Sequence, residues 1–316
     1  MPKTSIEVPP ARCSGRTMGT EWSVLIDDTL EPAAMAALQG ALQAAVDLVD
    51  DQMSTWKADS ALMQFNAGPC DRWLSLPVAL MTVLAAGIAI SRATGGAFEM
   101  NVGDAVTAWG FGAAAIDLAS IRAASGQRRV AAMAGLEIDP LLGLARKTAP
   151  LALDLSGIAK GYGVDRLAEV ALAHGVSHAL CAIDGEVRAL GGRVDSSPWA
   201  VRVEQPDAVG RDAHSMLMLA DGAVATSGDY RHYVKVAGKR LAHTMDPRRG
   251  APLVDAPASV TVVAQSCMMA DAMATALMVM GPEAGCRMAE EQGISALFLV
   301  RDGAGFRSVG AGMFAG

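Results

Sequence analysis

Hydrophobic and polar positions recur along this chain with two different periods, which predict a mixture of helices and strands. The clearest helical pattern begins at Pro32, where apolar residues recur every three or four positions as far as Met53. Further helices are predicted at 59–66, from Pro77 to Gly95, at 118–125, from Ser156 to His174, at 267–280 and at 283–292.

Period-two alternation and short apolar runs predict the strands. The clearest alternation is in 20–26, and Asp221-Gly222 and Ala237-Gly238 predict hairpin turns between neighbouring strands. A strand at 151–155, the helix after Ser156 and a strand at 178–183 predict a strand–helix–strand unit. The other predicted strands are 136–138, 199–203, 215–219, 223–226, 233–236, 240–244, 259–264, 294–300 and 306–309.

This order of elements favours an α+β fold with mostly antiparallel sheets, packed helices and two lobes. The chain shows no internal repeat and no low-complexity linker. We therefore expect an N-terminal extension over residues 1–14 and one domain over residues 15–316.

Composition narrows the class of protein. The chain has 316 residues, 52% of them hydrophobic, and a formal net charge of −7, which argues against a general binder of nucleic acid or anionic membranes. The five cysteines are scattered without a CxxC pair, so free thiols are expected. The first ten residues contain no apolar leader segment and no apolar run reaches membrane-spanning length, which predicts a cytoplasmic protein without a membrane span. A periplasmic location is the alternative if a leader has been removed.

The predicted helix at 267–280 is apolar at almost every position except Asp271 and Thr275. Ser266 is its expected N-cap and Gly281-Pro282 its expected stop. Asp271 and Thr275 are four residues apart, so both side chains project from one face. Their oxygens would suit a hard divalent cation. The alternative is an acid favoured by the helix dipole and a threonine bonded back to its own helix.

Two other segments carry candidate chemistry. Lys160 lies in the first turns of the helix after Ser156, where free N–H groups and an ammonium could bind an anion; the alternative is a capped surface helix with a solvated lysine. His243 ends a predicted strand and is a candidate general base, against a structural histidine. A nucleotide site of the Walker A or GxGxxG kind is not supported.

Four segments together resemble the ApbE family, the FAD:protein FMN transferases. Shorter similarities at 53–56, 101–103, 109–112 and 226–230 occur between them in the same order, so the resemblance covers about residues 15–312. The four are Thr17-Met-Gly-Thr20, Asp154-Leu-Ser-Gly-Ile-Ala-Lys-Gly-Tyr-Gly-Val-Asp165, His243-Thr-Met-Asp-Pro-Arg-Arg-Gly250 and Ala270-Asp-Ala-Met-Ala-Thr-Ala-Leu277.

The resemblance implies a T-fold-like architecture and a reaction in which Mg²⁺ assists transfer of FMN from FAD to a Ser or Thr of an acceptor flavoprotein, releasing AMP. It implies that Asp271, Thr275 and the carbonyl of Gly157 bind the metal and that His243 deprotonates the acceptor hydroxyl. The implied contacts to the flavin nucleotide are Met18, Trp56, Ala97, Phe98, Glu99, Asp154 and Lys160.

The chain departs from the family pattern at two places. Ala274 stands where some relatives have an acid, and Asp184-Gly-Glu186 stands where many have Gly-Gly-Asp. Three other functions remain open on the sequence: an FAD pyrophosphatase that yields FMN and AMP, an FAD-binding protein without catalysis, and an unrelated α+β enzyme.

Overall fold

A large antiparallel sheet organises the fold. The computed structural model describes residues 9–113, 115–206, 213–229, 233–236, 239–303 and 305–316. The strands are β1 (Ala11–Thr17), β2 (Thr20–Ile26), β3 (Leu74–Ser75), β4 (Leu136–Asp139), β5 (Leu144–Lys147), β6 (Ala179–Ile183), β7 (Glu186–Leu190), β8 (Trp199–Glu204), β9 (Ala213–Leu219), β10 (Gly222–Gly228), β11 (Tyr233–Val236), β12 (Lys239–Ala242), β13 (Met245–Asp246), β14 (Ala251–Pro252), β15 (Ser259–Ala264), β16 (Ser295–Asp302) and β17 (Gly305–Ala311). Eight of them form one sheet in the order β1-β2-β6-β7-β10-β15-β16-β17.

Helices cover one face of this sheet. Among the described residues they are α1 (Pro32–Met53), α2 (Ala61–Ala67), α3 (Val78–Ala93), α4 (Gly103–Ala108), α5 (Leu118–Gly126), α6 (Ala132–Gly135), α7 (Ala159–Ala173) and α8 (Cys267–Glu291), with a 3₁₀ turn at Gly312–Phe314. The α+β class predicted from the sequence is confirmed.

The alternation in β2 places its apolar side chains against α1 and α7. These side chains pair across the sheet with buried residues of β6, because antiparallel partners project from the same face. The facing pairs are Trp22–Ile183, Val24–Cys181 and Ile26–Ala179. α1 is the one described helix whose length and composition would fit a membrane span. Its apolar face, which includes Leu38, Leu42 and Val46, lies in this core.

α8 runs beneath β10 and β15 and contacts α7. Ser266 caps it as predicted, since its hydroxyl accepts the N–H of Met269 at 3.3 Å. Gly281 has φ 76° and ψ 173°, a conformation that favours glycine and interrupts the helix where the stop was predicted. The segment after Pro282 continues as the last turns of α8.

The β8–β9 hairpin covers the opposite face of the sheet. Trp199 of β8 and Leu219 of β9 pack with Leu299 and Val224 in a separate apolar cluster. The hairpin predicted around Asp221-Gly222 was wrong, because β9 pairs with β8 while β10 pairs with β7 and β15. The Asp221 carboxylate accepts the N–H of Gly191 at 2.8 Å, which ties the start of β10 to the end of β7.

Two expectations near residue 155 were also wrong. Residues 151–155 form no strand, because the amide side chains of Asn66 and Asn101 bond the backbone of Ala152 and Leu153. Ser156 does not cap α7. Its N–H and hydroxyl both donate to Asp154 instead, and the helix begins at Ala159 without a side-chain cap.

Most other predicted elements form within a few residues of their expected bounds, and α1 and β2 match them fully. The predicted strands 233–236 and 240–244 form the pair β11–β12, while its turn at 237–238 lies outside the described residues. β1 was not predicted, and it begins at Ala11 inside the expected N-terminal extension. All five cysteines are free, as expected.

Asp165 joins α7 to α8 and generates a prediction about stability. Its carboxylate accepts the N–H groups of Cys267 and Met268, both at 2.9 Å, and the guanidinium of Arg188 at 2.6 Å. We expect Asp165→Ala to lower the free energy of unfolding by about 3 kcal/mol, because hydrogen bonds to a buried charge are lost. Urea denaturation measures this.

Ser266→Ala is the matched control, since it removes only the side-chain cap of the same helix and should cost about 1 kcal/mol. An Asp165→Ala protein as stable as the Ser266→Ala protein would contradict the account of this junction.

Candidate active site

One cavity of about 830 Å³ collects every site residue predicted from the sequence. These residues come from loops and elements spread over most of the chain, and the fold brings them to one side of the α7–α8 junction. They are Met18, Trp56, Ala97, Phe98, Glu99, Asp154, Gly157, Lys160, His243, Asp271 and Thr275.

Asp271 lies at the bottom of this cavity and is only 4% exposed. α7 and α8 approach each other closely here, so the backbone N–H of Gly161 donates to Oδ2 of Asp271 at 3.0 Å. Burial, reinforced by the nearby charge of Glu186, raises the pKa of Asp271 to about 7, although Lys160 and the Gly161 hydrogen bond oppose the change. A carboxylate held in this environment needs a compensating positive charge.

Thr275 lies one turn further along α8, on the same face as Asp271. Its hydroxyl is 3.2 Å from the hydroxyl of Ser227 on β10. A Cβ atom on Gly157 would lie 2.9 Å from Thr275 Oγ1, so only glycine lets this backbone approach the hydroxyl so closely. The carboxylate, two hydroxyls and the peptide backbone at Gly157 thus present oxygen atoms of the kind that Mg²⁺ binds.

Lys160 is the basic group beside Asp271. Its ammonium lies 2.7 Å from Glu186 Oε1 and 3.7 Å from Asp184 Oδ2. Burial alone would lower the pKa of Lys160, but Glu186, Asp271 and Asp184 together raise it above its ordinary value. Lys160 therefore remains an ammonium and contributes a fixed positive charge to the cavity.

Two further acids of the cavity lining accept hydrogen bonds from backbone N–H groups. Asp154 is 6% exposed and accepts the N–H of Ser156 at 2.9 Å. Glu99 accepts the N–H groups of Asn101 and Ala132 at 2.7 and 2.9 Å, although burial still raises its pKa. These bonds fix the position of the predicted flavin-nucleotide segment 97–99.

Met18 and Trp56 provide the apolar surface. Met18 has φ 46° and Gly19 has φ 74°, so the two form the tight turn between β1 and β2, in a conformation that is strained for methionine. Trp56 is 66% exposed at the cavity wall, where its indole could stack on a planar ring. A tight turn thus presents the half-buried Met18, while a surface loop presents Trp56.

His243 lies between β12 and β13, half-buried, and lines the same cavity. Its ring meets Phe111 edge to face, with centroids 6.3 Å apart. Phe111, in the segment between α4 and α5, therefore packs against one side of the His243 ring.

The charge balance of the cavity is acidic. Its described lining contains six carboxylates but only two basic side chains, so a polyanionic ligand would be repelled without an added cation. No group of three His, Cys, Asp or Glu side chains close enough to hold a metal occurs in the part of the chain that the structure describes. A cation here would therefore depend on hydroxyl and carbonyl oxygens as well as Asp271. The charged side chains are Glu99, Asp154, Asp184, Glu186, Glu204, Asp271, Lys160 and Arg202.

Sequence reasoning missed two residues of this site. Glu186 was noticed only as a departure from the family pattern, and Ser227 only as part of the segment 226–230. Glu186 contacts Lys160, and Ser227 contacts Thr275. Both contacts arise from the tertiary structure, because β7 and β10 are neighbouring strands in the sheet that packs on α7 and α8. No local pattern in the sequence signals these contacts.

Comparison with known proteins identifies the family. A sequence profile described as the ApbE family matches residues 18–298. The chain belongs to the ApbE family. It is 36% identical to the FAD:protein FMN transferase of Vibrio cholerae over 95% of this chain and 90% of that protein. It is 33% identical to the FAD:protein FMN transferase of Klebsiella pneumoniae over 93% of this chain and 85% of that protein.

Solved structures of ApbE proteins support the same family assignment. The flavin transferase ApbE from Vibrio cholerae matches with a TM-score of 0.84 and 33% identity over 97% of this chain and 99% of that one. The apo form of the Pseudomonas stutzeri flavinyl transferase ApbE matches with a TM-score of 0.82 and 34% identity over 96% and 94%. The ApbE fold therefore extends over nearly the whole chain.

The close approach of α7 to α8 gives a prediction at Gly161. A Cβ atom there would collide with the carbonyl oxygen of Cys267 and lie 2.8 Å from Asp271 Cβ. We expect Gly161→Ala to lower the free energy of unfolding by about 2 kcal/mol, because the collision is with backbone that cannot rotate away. Urea denaturation measures this change.

Gly40→Ala is the matched control, because Gly40 lies within α1 and a Cβ atom there meets nothing within 4 Å. It should stabilise the protein by up to about 1 kcal/mol through helix propensity. Equal stability of the two variants would contradict the close packing described here.

Proposed function

We propose that this protein transfers FMN from FAD to a Ser or Thr hydroxyl of an acceptor flavoprotein, with Mg²⁺ as cofactor and AMP as the product released. The observation that supports it is the single cavity in which Asp271, Thr275, Lys160 and His243 meet. The names of the curated ApbE relatives support transfer of FMN from FAD to protein.

The reaction needs one bond made and one broken. The acceptor oxygen attacks the FMN-side phosphorus of FAD, and the bond from that phosphorus to the bridging oxygen breaks. AMP leaves with the bridging oxygen and its electron pair. The proton of the acceptor hydroxyl passes to the ring of His243, which acts as general base because imidazole titrates near neutral pH.

The metal would be held by Asp271, Thr275 and the carbonyl of Gly157. When bound there, a divalent cation neutralises pyrophosphate charge and stabilises the leaving phosphate. The chain favours this site because Asp271 is buried beside Glu186 with too little positive charge around it. Lys160 contributes a charged donor to the phosphate oxygens, and its ion pair with Glu186 keeps it in place.

The remaining residues bind the substrate. Trp56 presents an exposed indole against which the isoalloxazine ring stacks, and Met18 offers a polarisable side chain nearby. Asp154 and the segment 97–99 hold the rest of the nucleotide, since their hydrogen bonds fix that wall before substrate arrives. Preorganised walls of this kind reduce the entropy lost on binding.

Thr275 offers a matched test of the metal site. We expect Thr275→Val, which keeps the shape but removes the hydroxyl, to slow AMP release from FAD at least tenfold and to raise the Mg²⁺ concentration needed for half-maximal rate. Thr275→Ser keeps the hydroxyl and should remain within about threefold of the wild-type rate, because an oxygen ligand is retained. Rates are measured by chromatography of AMP over a Mg²⁺ series. Equal rates for the valine and serine variants would remove Thr275 from the metal site.

His243 offers a test of the base. We expect His243→Ala to slow FMN transfer by about 10²- to 10⁴-fold, the usual contribution of a general base, while FAD still binds. The measurement follows in-gel flavin fluorescence of an acceptor subunit together with AMP release. Transfer at the wild-type rate would contradict the role of His243.

Equal AMP release with and without the acceptor in wild type would indicate an FAD pyrophosphatase instead, and tight FAD binding with no AMP release would indicate a binding protein.

A further inference from the structure

Glu186 is a buried acid that the mechanism above uses only as a partner of Lys160. It is the first residue of β7, directly after the turn made by Asp184 and Gly185, and Asp184 has φ 54° there. Glu186 pairs with Ile183 across this hairpin and is 2% exposed. The tight turn therefore drives a carboxylate inward, toward the cavity that Glu186 lines.

The two carboxylate oxygens of Glu186 have different surroundings. Oε1 accepts a hydrogen bond from the ammonium of Lys160 at 2.7 Å. Oε2 is buried and finds no hydrogen-bond partner among the described residues. A buried carboxylate oxygen is normally satisfied, so an unpartnered one in a cavity wall indicates a missing donor.

The charges around Glu186 indicate which kind of ligand supplies the missing hydrogen-bond donor. The charge of Glu186 lies near enough to Asp271 to disfavour its ionisation, and the ammonium of Lys160 interacts with both acids. Two carboxylates and one ammonium leave a net negative charge in a site proposed to receive a pyrophosphate. A divalent cation reverses that sign, and Mg²⁺ keeps several of its water molecules when it binds to proteins.

We propose that Glu186 is a positioning residue of the metal site, in which Oε1 fixes Lys160 and Oε2 accepts a hydrogen bond from a water molecule bound to the cation. The assignment rests on the proposed function, because it takes Asp271, Thr275 and Gly157 as the groups that hold that cation. Outer-shell acceptors of this kind orient the bound water and increase metal affinity. In the segment Asp184-Gly-Glu186, the carboxylate of Glu186 would thus contact the metal through a water molecule rather than directly.

The direct test measures metal affinity without turnover. Mn²⁺ is titrated into the protein in the presence of ADP, a pyrophosphate nucleotide that carries no flavin, and free Mn²⁺ is followed by electron paramagnetic resonance. We expect Glu186→Gln, which keeps the size of the side chain and removes its charge, to weaken Mn²⁺ binding by about ten- to a hundredfold. Glu186→Asp retains the charge and should bind Mn²⁺ more tightly than Glu186→Gln.

Asp229→Asn is the matched control. Asp229 is a buried acid ion-paired with Arg301 at 2.6 Å, and it does not line the cavity. Its substitution should lower the melting temperature and leave Mn²⁺ affinity within about threefold of wild type, since no outer-shell contact to the metal is lost. A loss of affinity as large in Asp229→Asn as in Glu186→Gln would show a general effect of destabilisation and overturn the assignment.

The remaining outcomes separate this assignment from the proposed function. Wild-type protein that binds no Mn²⁺ with or without ADP would contradict the proposed metal site itself. If Glu186→Gln binds Mn²⁺ as tightly as the wild-type protein, only the role of Glu186 is contradicted. If Glu186→Gln does not fold, Glu186→Asp decides: binding at least about threefold weaker than wild type supports the assignment, because a carboxylate shortened by one methylene group no longer reaches the bound water. Unchanged binding in Glu186→Asp overturns it.

Discussion

The contact between α7 and α8 is the constraint on which the site depends. Gly161 permits the two helices to meet without a side chain between them, and its N–H holds the carboxylate of Asp271 at the bottom of the cavity. Asp165 ties the first turn of α8 to α7 and to Arg188 of β7. Because the N–H group that holds Asp271 and the N–H groups that Asp165 accepts all belong to the backbone, the fold itself sets the position of Asp271. The rest of the cavity is built around that fixed acid.

A fixed, buried acid changes the chemistry of everything near it. Without a bound cation, the burial of Asp271 beside the charge of Glu186 is unfavourable, and the ammonium of Lys160 offsets only part of this cost. In the proposed function, a divalent cation would balance this negative charge and would in turn allow a pyrophosphate to enter a cavity whose walls are acidic. In the proposed reaction the flavin ring binds to Trp56 and Met18, which come from loops that line the cavity. The proposed reaction therefore combines a rigid phosphate-binding centre with a more exposed surface for the ring.

Sequence patterns predicted the elements whose periodicity reflects one buried face. α1 and β2 formed as expected because their apolar residues recur with a single period. Residues 151–155 were wrongly predicted as a strand, because the partners of their backbone are side chains of Asn66 and Asn101, far away in sequence. β1 was missed because few of its residues are buried and its alternation is weak. The site residues named from the family resemblance all line one cavity. Glu186 and Ser227 join them through neighbouring strands of the sheet, which no local pattern reveals.

We infer that the buried acids make FAD binding depend on a divalent cation. It is tested most directly by the affinity of the wild-type protein and of Asp271→Asn for FAD, followed by flavin fluorescence in EDTA and in saturating Mg²⁺. We expect Mg²⁺ to tighten FAD binding to the wild-type protein at least tenfold, about 1.4 kcal/mol, and Asp271→Asn to lose most of this difference. Equal affinity of the wild-type protein for FAD in EDTA and in Mg²⁺ would contradict it.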